Sequence, residues 1–468
     1  MDSKFKLVGK IRPKKSNEIT TNFVGLGFEK LDRDVFSPEK AYDKVANLGV
    51  KWIRLLTGWQ KTEKEPGIYD FAWLDSIVDN LTARGLIPWF CLSYGNEVYD
   101  DNAKNIVGGT ACPPVHTPEQ KKAWINYVTA VTEHYKHRVT HYEIWNEPEW
   151  CWTEGAHPAD YGMMALESAK AIKAVYPQAK IIVGALAAQD LHFIDTVLAT
   201  KGLPELVDFV SFHMYNHDEK IIIPFVNSLR ALCKSYNPKI EIINGESGCQ
   251  SANGAGALSG GAWNELLQAK YVARHVITNM MAQVAFYSYF SALDMREALF
   301  VKKENYDSKD FGYFGLIRAD FDENGFATGE YSLKPSYYVM QNYCSVFSDG
   351  FTLCELPVWR KPLYNERLFQ WDCGDMSVSL QGFRKPNGSA ALVYWNSTDL
   401  MTVKEYEASL SFIAANLPDD IKLADPMTGE IFSLPDGMVE VKEDDHLILK
   451  NLPLRDYPLI LTFGSFIE

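Results

Sequence analysis

The sequence predicts an α/β protein, a (β/α)₈ TIM barrel carrying an accessory antiparallel β-sandwich domain. Between about residues 20 and 350, short apolar runs alternate with amphipathic stretches, the rhythm of βα units around a parallel sheet. Beyond residue 350 helical periodicity stops, and apolar runs separated by turn residues take over. The 468 residues, 47% hydrophobic and 23% charged, supply the apolar material such a core needs and exclude disorder or a fibre.

The apolar runs are Phe23 to Phe28, Lys51 to Leu56, Leu86 to Ser93, Val139 to Trp145, Lys180 to Leu186, Val207 to Tyr215, Ile240 to Glu246 and Val284 to Phe290. The helical stretches are Pro38 to Leu48, Trp73 to Arg84, Pro118 to His137, Ala159 to Tyr176, Phe193 to Thr200, Ile223 to Tyr236, Trp263 to Ala282 and Pro335 to Phe347. Eight of each describe a closed barrel. The rival, a doubly wound nucleotide-binding sheet, needs a glycine-rich phosphate turn after an early strand. Gly25-Leu26-Gly27 is followed by Glu29-Lys30-Leu31 instead of the third glycine, and Gly254 to Gly261 reads better as a loop over a site. After the eighth run, residues 292 to 334 are too long for an ordinary connection and predict a substructure beside the barrel mouth. Ser389 to Trp395, Tyr406 to Phe412, Val439 to Val441, His446 to Leu449 and Pro458 to Phe463 read as strands. Turns at Pro386-Asn387-Gly388, Pro426 to Gly429 and Pro435-Asp436-Gly437 separate them. The expected division is a catalytic barrel over 16–349 and a sandwich over 350–468, joined by residues 1–15 through the Phe5 to Ile11 segment.

Lys and Arg number 46 against 60 Asp and Glu, a net charge of −14 without a segregated basic patch, so nucleic acid is not an expected partner. The first ten residues lack the apolar run of a signal peptide, and no stretch approaches the length of a membrane span. A cytoplasmic chain without membrane partners is expected. The eight cysteines are scattered without a CxxC, as buried small hydrophobes would be. Cys112, Cys151 and Cys249 fall on loops bordering the barrel mouth, but no metal-ligand spacing accompanies them, and neither metal nor cofactor is expected.

Barrel enzymes carry their reactive groups at the C-terminal ends of the strands. Two carboxylates stand there: Glu147, in His141-Tyr142-Glu143-Ile144-Trp145-Asn146-Glu147-Pro148, and Glu246, in Asn244-Gly245-Glu246-Ser247-Gly248. Either one alone reads as a helix cap or a solvated loop charge. Facing each other across a mouth, they suit glycoside hydrolysis, in which one protonates the leaving oxygen and the other attacks the anomeric carbon.

Trp145-Asn146-Glu147-Pro148 resembles the acid/base motif of clan A glycoside hydrolases, the superfamily with carboxylates on strands four and seven. Trp59 and Glu65 to Phe71 are similar to the second loop of many clan members, and Arg54, His213 and Tyr215 fall at the expected strand ends. The resemblance spans the whole barrel, and the appended β-domain is similar to that of family 39, which includes β-xylosidases and α-L-iduronidases. It implies that Glu147 is the acid/base, Glu246 the nucleophile and Asn146 the partner of the substrate's 2-hydroxyl. In that frame Arg54 would keep Glu246 ionised, Tyr215 would hold its angle of attack, and His213 would orient Asn146 and Glu147. For Arg54 a purely structural salt bridge is the even alternative, and for His213 a satisfied core histidine.

Sugar clefts use aromatic faces, and Trp59, Trp89, Tyr94, Trp150 and Trp152 lie on strands or loops that could reach the mouth. The clan's strand-eight tryptophan is replaced here by Ala285-Phe286-Tyr287-Ser288-Tyr289-Phe290-Ser291, which puts Tyr287 forward as a sugar contact. The Gly245-Glu246-Ser247-Gly248 context also departs from the Thr-Glu-Trp-like setting typical of family 39. The expected activity is a retaining, exo-acting glycosidase that removes terminal sugars from oligosaccharides or small glycosides by double displacement. A catalytically silent carbohydrate-binding barrel is the alternative, disfavoured by two intact carboxylates; a nucleotide-dependent oxidoreductase is disfavoured by the incomplete phosphate fingerprint.

Overall fold

The computed structural model describes residues 1, 3–150, 157–297, 309–356, 358–361, 378–398, 400, 406–413, 417–418, 420–441 and 446–467. Eight parallel strands close into a barrel: Val24–Gly27, Trp52–Leu56, Ile87–Leu92, His141–Ile144, Lys180–Leu186, Phe209–His213, Glu241–Ser247 and Tyr287–Tyr289, hereafter strands one to eight. Strand eight returns to strand one through Tyr287↔Val24, which closes the cylinder. The helices fall where the 3.6-residue periodicity predicts them, with small shifts at their ends, and sequence-coded caps fix several starts. Thr117 and Gln120 form a capping box ahead of Pro118–Tyr135, Asp190 caps Leu191–Leu198, and Asn264 caps Glu265–Met281.

The barrel interior below the mouth is filled by Trp89, Ile182, Phe209, Ile243 and Phe286, with Trp52 packed against them. That plug makes the lower half a solid core, so the side chains above it have only one open direction. The excursion after strand eight contains two antiparallel hairpins, Met295–Arg296 with Phe311–Gly312 and Ile317–Phe321 with Ala327–Leu333.

Beyond the barrel lie two antiparallel sheets. The larger runs in the order Lys6–Lys10, Glu430–Ser433, Ile421–Asp425, Leu459–Phe463, Ala390–Asn396, Val378–Arg384 and Thr352–Cys354. The smaller comprises Val358–Lys361, Tyr406–Ile413, His446–Leu454 and Val439–Val441. Apolar residues from both, including Leu392, Leu410, Leu449 and Leu461, form a common core, as alternation with one buried face requires. The N-terminal strand joins the larger sheet as an edge through Lys6↔Ser433. Among the described residues no helix is long and apolar enough to cross a membrane.

Candidate active site

Strand four ends at Ile144, and the chain then turns through Trp145 and Glu147, both in the left-handed backbone region that residues with a Cβ rarely adopt. This turn lifts the Glu147 carboxylate to the mouth and places Trp150 beyond it, with the Trp150 N–H donating to the Glu147 carbonyl at 3.0 Å. On strand seven the register slips between Asn244 and Glu246. Such a bulge re-aims the next side chain, here Glu246, towards the same opening. The bulge needs Gly245: a Cβ there would lie 2.3 Å from Ser211 Oγ and 3.4 Å from both Glu143 Oε1 and His213 Nε2.

Arg54, fully buried on strand two, organises the floor. Its Nε and Nη2 donate to Glu143 Oε2 at 2.9 and 2.5 Å, its Nη2 to Asn146 Oδ1 at 2.8 Å, and its Nη1 to Glu246 Oε2 at 2.8 Å. The same Nη1 lies 3.0 Å from Glu29 Oε1. The Tyr215 hydroxyl donates to the other Glu246 oxygen. His213 Nδ1 sits 2.9 Å from Glu147 Oε1 and 3.7 Å from Glu246 Oε2, bridging the two carboxylates. A Glu147 oxygen, a His213 nitrogen and a Glu246 oxygen all lie within 4.8 Å of one another. A small cation would need the same spacing, and one bound there would occupy both carboxylates.

The charges do not cancel in this cluster. Glu29, Glu143, Glu147 and Glu246 surround one guanidinium and one imidazole, so retained protons are the cheapest way to lower the excess negative charge. Burial and the neighbouring Glu29 push the Glu246 carboxyl up to about 7, against the opposing pull of His213 and Arg54. Arg54 favours the ionised form of Glu246, but its guanidinium is shared with Glu29 and Glu143, and burial and Glu29 outweigh that pull. Burial works against the His213 imidazolium, yet Glu246 and Glu147 outweigh it and raise its pKa. Burial and Glu246 hold the Tyr215 phenol well above its ordinary value, so it remains a donor. Burial raises Glu149 to about 7, although the Ala188 N–H bonds its carboxylate at 2.9 Å.

The cluster opens into a cavity of about 580 Å³ lined by Glu29, Lys30, Tyr94, Asn146, Glu147, Trp150, Gln189, Tyr215, Glu246, Phe290, Glu297 and Phe314, among others. Ala255, Gly256 and Ala257 of the glycine-rich loop close over it, so this loop and the excursion both reach the mouth as expected. A cavity of about 630 Å³ lies beside Tyr313, but it holds the neutralised Lys334–Asp294 pair, 2.6 Å apart, in place of facing carboxylates.

The aromatic expectations divide. Tyr94 and Trp150 line the cavity, the latter 68% exposed. Trp59 does not: its indole donates to Glu63 at 2.5 Å and its ring stacks on Tyr99 and Tyr127 in an apolar layer behind the second loop. Trp89 lies in the interior plug, with its ring under the Arg54 guanidinium at 5.5 Å. Tyr287 is buried within the strand-eight wall and does not line the cavity, where Phe290 and Phe314 stand instead. Trp152 and Cys151 lie outside the described residues. Cys112 packs with Ala103 and Ile106, Cys249 is fully buried, and neither lines the cavity.

The sequence reading missed Glu143 and Glu29 as members of the cluster. Glu143 had a signal, since it is a lone charge inside the apolar run of strand four, and Arg54, a charge inside the run of strand two, demanded a partner. Glu29 and Lys30 were visible only as residues that spoil a phosphate fingerprint.

The profile of the glycosyl hydrolases family 39 matches residues 40–238. No curated protein matches the chain. Among solved structures, a family 39 glycoside hydrolase from the gut symbiont Bacteroides cellulosilyticus WH2 superposes with a TM-score of 0.67 at 18% identity, over 94% of this chain and 81% of that one. A monomeric β-xylosidase from Caulobacter crescentus CB15 gives 0.58 at 16% identity, over 97% of both chains. A family 30 subfamily 8 xylanase from Clostridium acetobutylicum gives 0.58 at 12%, again over 97% of both. At these identities the structural likeness is one of fold, the barrel with its appended β-domain.

Proposed function

We propose that this chain, whose barrel matches the family 39 glycosyl hydrolase profile over residues 40–238, is a retaining, exo-acting glycosidase working through a glycosyl ester on Glu246. The observation that carries this reading is the pair of carboxylates at strands four and seven, with oxygens within 4.8 Å of each other. Retention requires carboxyl groups about 5 to 5.5 Å apart, whereas inversion needs about 6.5 to 9.5 Å to admit a water between sugar and base.

In the first step an ionised Glu246 oxygen attacks the anomeric carbon, the bond from that carbon to the leaving oxygen breaks, and Glu147 delivers its proton to that oxygen. In the second, Glu147 removes a proton from water, the hydroxide oxygen bonds to the anomeric carbon, and Glu246 departs as carboxylate. The proton on Glu147 is thereby restored. Tyr215 and Arg54 each hold one Glu246 oxygen, which fixes the angle of attack and gives the departing carboxylate its partners. In this reading Asn146, whose Oδ1 accepts from Arg54, bonds the 2-hydroxyl of the sugar. Exo action is supported by the cover of Ala255 to Ala257 and by Phe290, Phe314 and Glu297, which turn the mouth into a pocket.

Glu147→Ala tests this reading. It should slow glycosides with poor leaving groups far more than activated aryl glycosides, and azide should restore turnover by giving a glycosyl azide of retained configuration. Equal losses on both substrate types without azide product would remove Glu147 from the acid/base role.

A further inference from the structure

Lys30 and Glu297 are a charged pair inside the cavity that the two-step reaction does not use. The ammonium and Glu297 Oε2 are 3.0 Å apart, with only 3% and 9% of the side chains exposed. Lys30 follows strand one in the left-handed backbone region, with its Nζ 5.2 Å above the Phe290 ring on the pocket wall. Glu297 is set by the hairpin after strand eight, where its N–H donates to the Asp310 carbonyl at 2.8 Å. Among the described residues its buried Oε1 has no hydrogen-bond partner, and it faces Gly312, where a Cβ would lie 2.0 Å from that oxygen. What accessible surface the carboxylate keeps therefore lies on the side of Oε2 and Lys30.

The hydrogen-bonding capacity of this pair is not filled. An ammonium has three donors, and among the described residues Lys30 Nζ donates to Glu297 alone. Buried polar groups left this far short of partners cost free energy unless something else supplies them. Position then says what. Strands eight and one lie across the closed barrel from strand four, where Glu147 stands. Because the acid/base must face the leaving oxygen on C1, the opposite wall faces the end of the ring remote from C1.

We infer that Lys30 and Glu297 form the blind end of the sugar pocket and select the configuration of the hydroxyl at C4 of the terminal sugar. This rests on the reading of Glu147 as the group beside the leaving oxygen. One correctly placed hydroxyl accepts from Lys30 and donates to Glu297; its epimer satisfies neither and leaves both short. A chain extended through O4 would also meet this wall, so the same pair enforces action at chain ends.

The test compares C4 epimers, using 4-nitrophenyl β-D-xylopyranoside and 4-nitrophenyl α-L-arabinopyranoside. The wild-type kcat/KM ratio should be about 30-fold or more in favour of one of them. Glu297→Gln and Lys30→Met should each bring that ratio to within about threefold, while azide rescue in a Glu147→Ala background is retained. A ratio unchanged in both variants, or a wild type that does not distinguish the epimers, overturns the assignment. Calorimetric binding of D-xylose and L-arabinose to wild type and to the same variants reads the selection without turnover. An inactive protein that still distinguishes the two sugars through Lys30 and Glu297 would count against the hydrolytic reading alone. A variant that melts early but keeps the epimer ratio shows a structural pair and overturns the proposal.

Discussion

Arg54 donates to Glu143 and Glu246 and lies within ion-pair distance of Glu29, and a single guanidinium cannot neutralise three carboxylates. Hence the carboxyl of Glu246, the proposed nucleophile, is pushed up to about 7. The acid limb of kcat/KM should therefore fall near pH 7, and Glu29→Gln should move it to lower pH because a negative neighbour has gone. A limb that stays in place in that variant would show that Glu29 does not set the charge of the nucleophile. Arg54→Lys loses the planar fork that reaches Glu143, Asn146 and Glu246 together, and kcat should drop about 100-fold or more with the protein still folded. If its melting temperature falls while kcat is kept, Arg54 only ties the barrel together. Residues at strand ends were legible because a charge there contradicts its apolar run. Trp59 and Trp89 were not, since a tryptophan that fills a core and one that meets a sugar look alike in sequence.

The strand-seven bulge depends on the glycine before Glu246. Gly245→Ala would drive its Cβ towards Ser211 Oγ and crowd His213, re-aiming the proposed nucleophile Glu246 and the imidazole that bridges to Glu147. Overpacking of this kind costs about 1 to 3 kcal/mol, and kcat should fall at least about tenfold; normal activity and stability in this variant would show that the bulge relaxes freely. All eight barrel strands were readable, because each is an apolar run bounded by turns and alternating with a capped helix. The strands Thr352–Cys354, Val378–Arg384, Ile421–Asp425 and Glu430–Ser433 were not. They are short or polar, and the partners that stabilise them are distant in sequence: Lys6–Lys10 finds Glu430–Ser433 more than 400 positions away.

At the scale of the molecule, the helix Glu265–Met281 is buried on nearly every side because the β-domain covers the face that would otherwise meet water. Its Lys270 bonds Asp456 at 2.6 Å, and Arg274 reaches Glu219 and the Thr398 carbonyl, both at 2.8 Å. Asp456→Ala would strand a buried ammonium at a cost of about 3 to 5 kcal/mol, whereas Lys270→Met with Asp456→Leu should recover most of it. Thermal melting of the three proteins decides this, and a single variant as stable as wild type would show that the contact carries little. Stability should also respond to pH through the site. Glu246 holds its proton in the folded state up to about 7 but would lose it near 4.5 when unfolded, so stability falls as pH rises between those values. The raised His213 acts in the same sense, its contribution being lost as pH climbs above 6.5 through the higher folded value. The melting temperature should therefore decline from pH 5 to 8, and Glu246→Gln should flatten that decline; an equal decline in both proteins would place the proton elsewhere.

The proposed two-step reaction passes through a covalent bond between sugar and Glu246, and peptide mass mapping reads it directly. The enzyme is incubated with an activated 2-deoxy-2-fluoro glycoside of the sugar that its aryl-glycoside panel favours, since fluorine at C2 slows breakdown of the intermediate more than it slows its formation. One fluoroglycosyl group per protein is expected, on the peptide containing Glu246, and none in Glu246→Gln. Inactivation with the label on another carboxylate, or persistence of the label in Glu246→Gln, would contradict it.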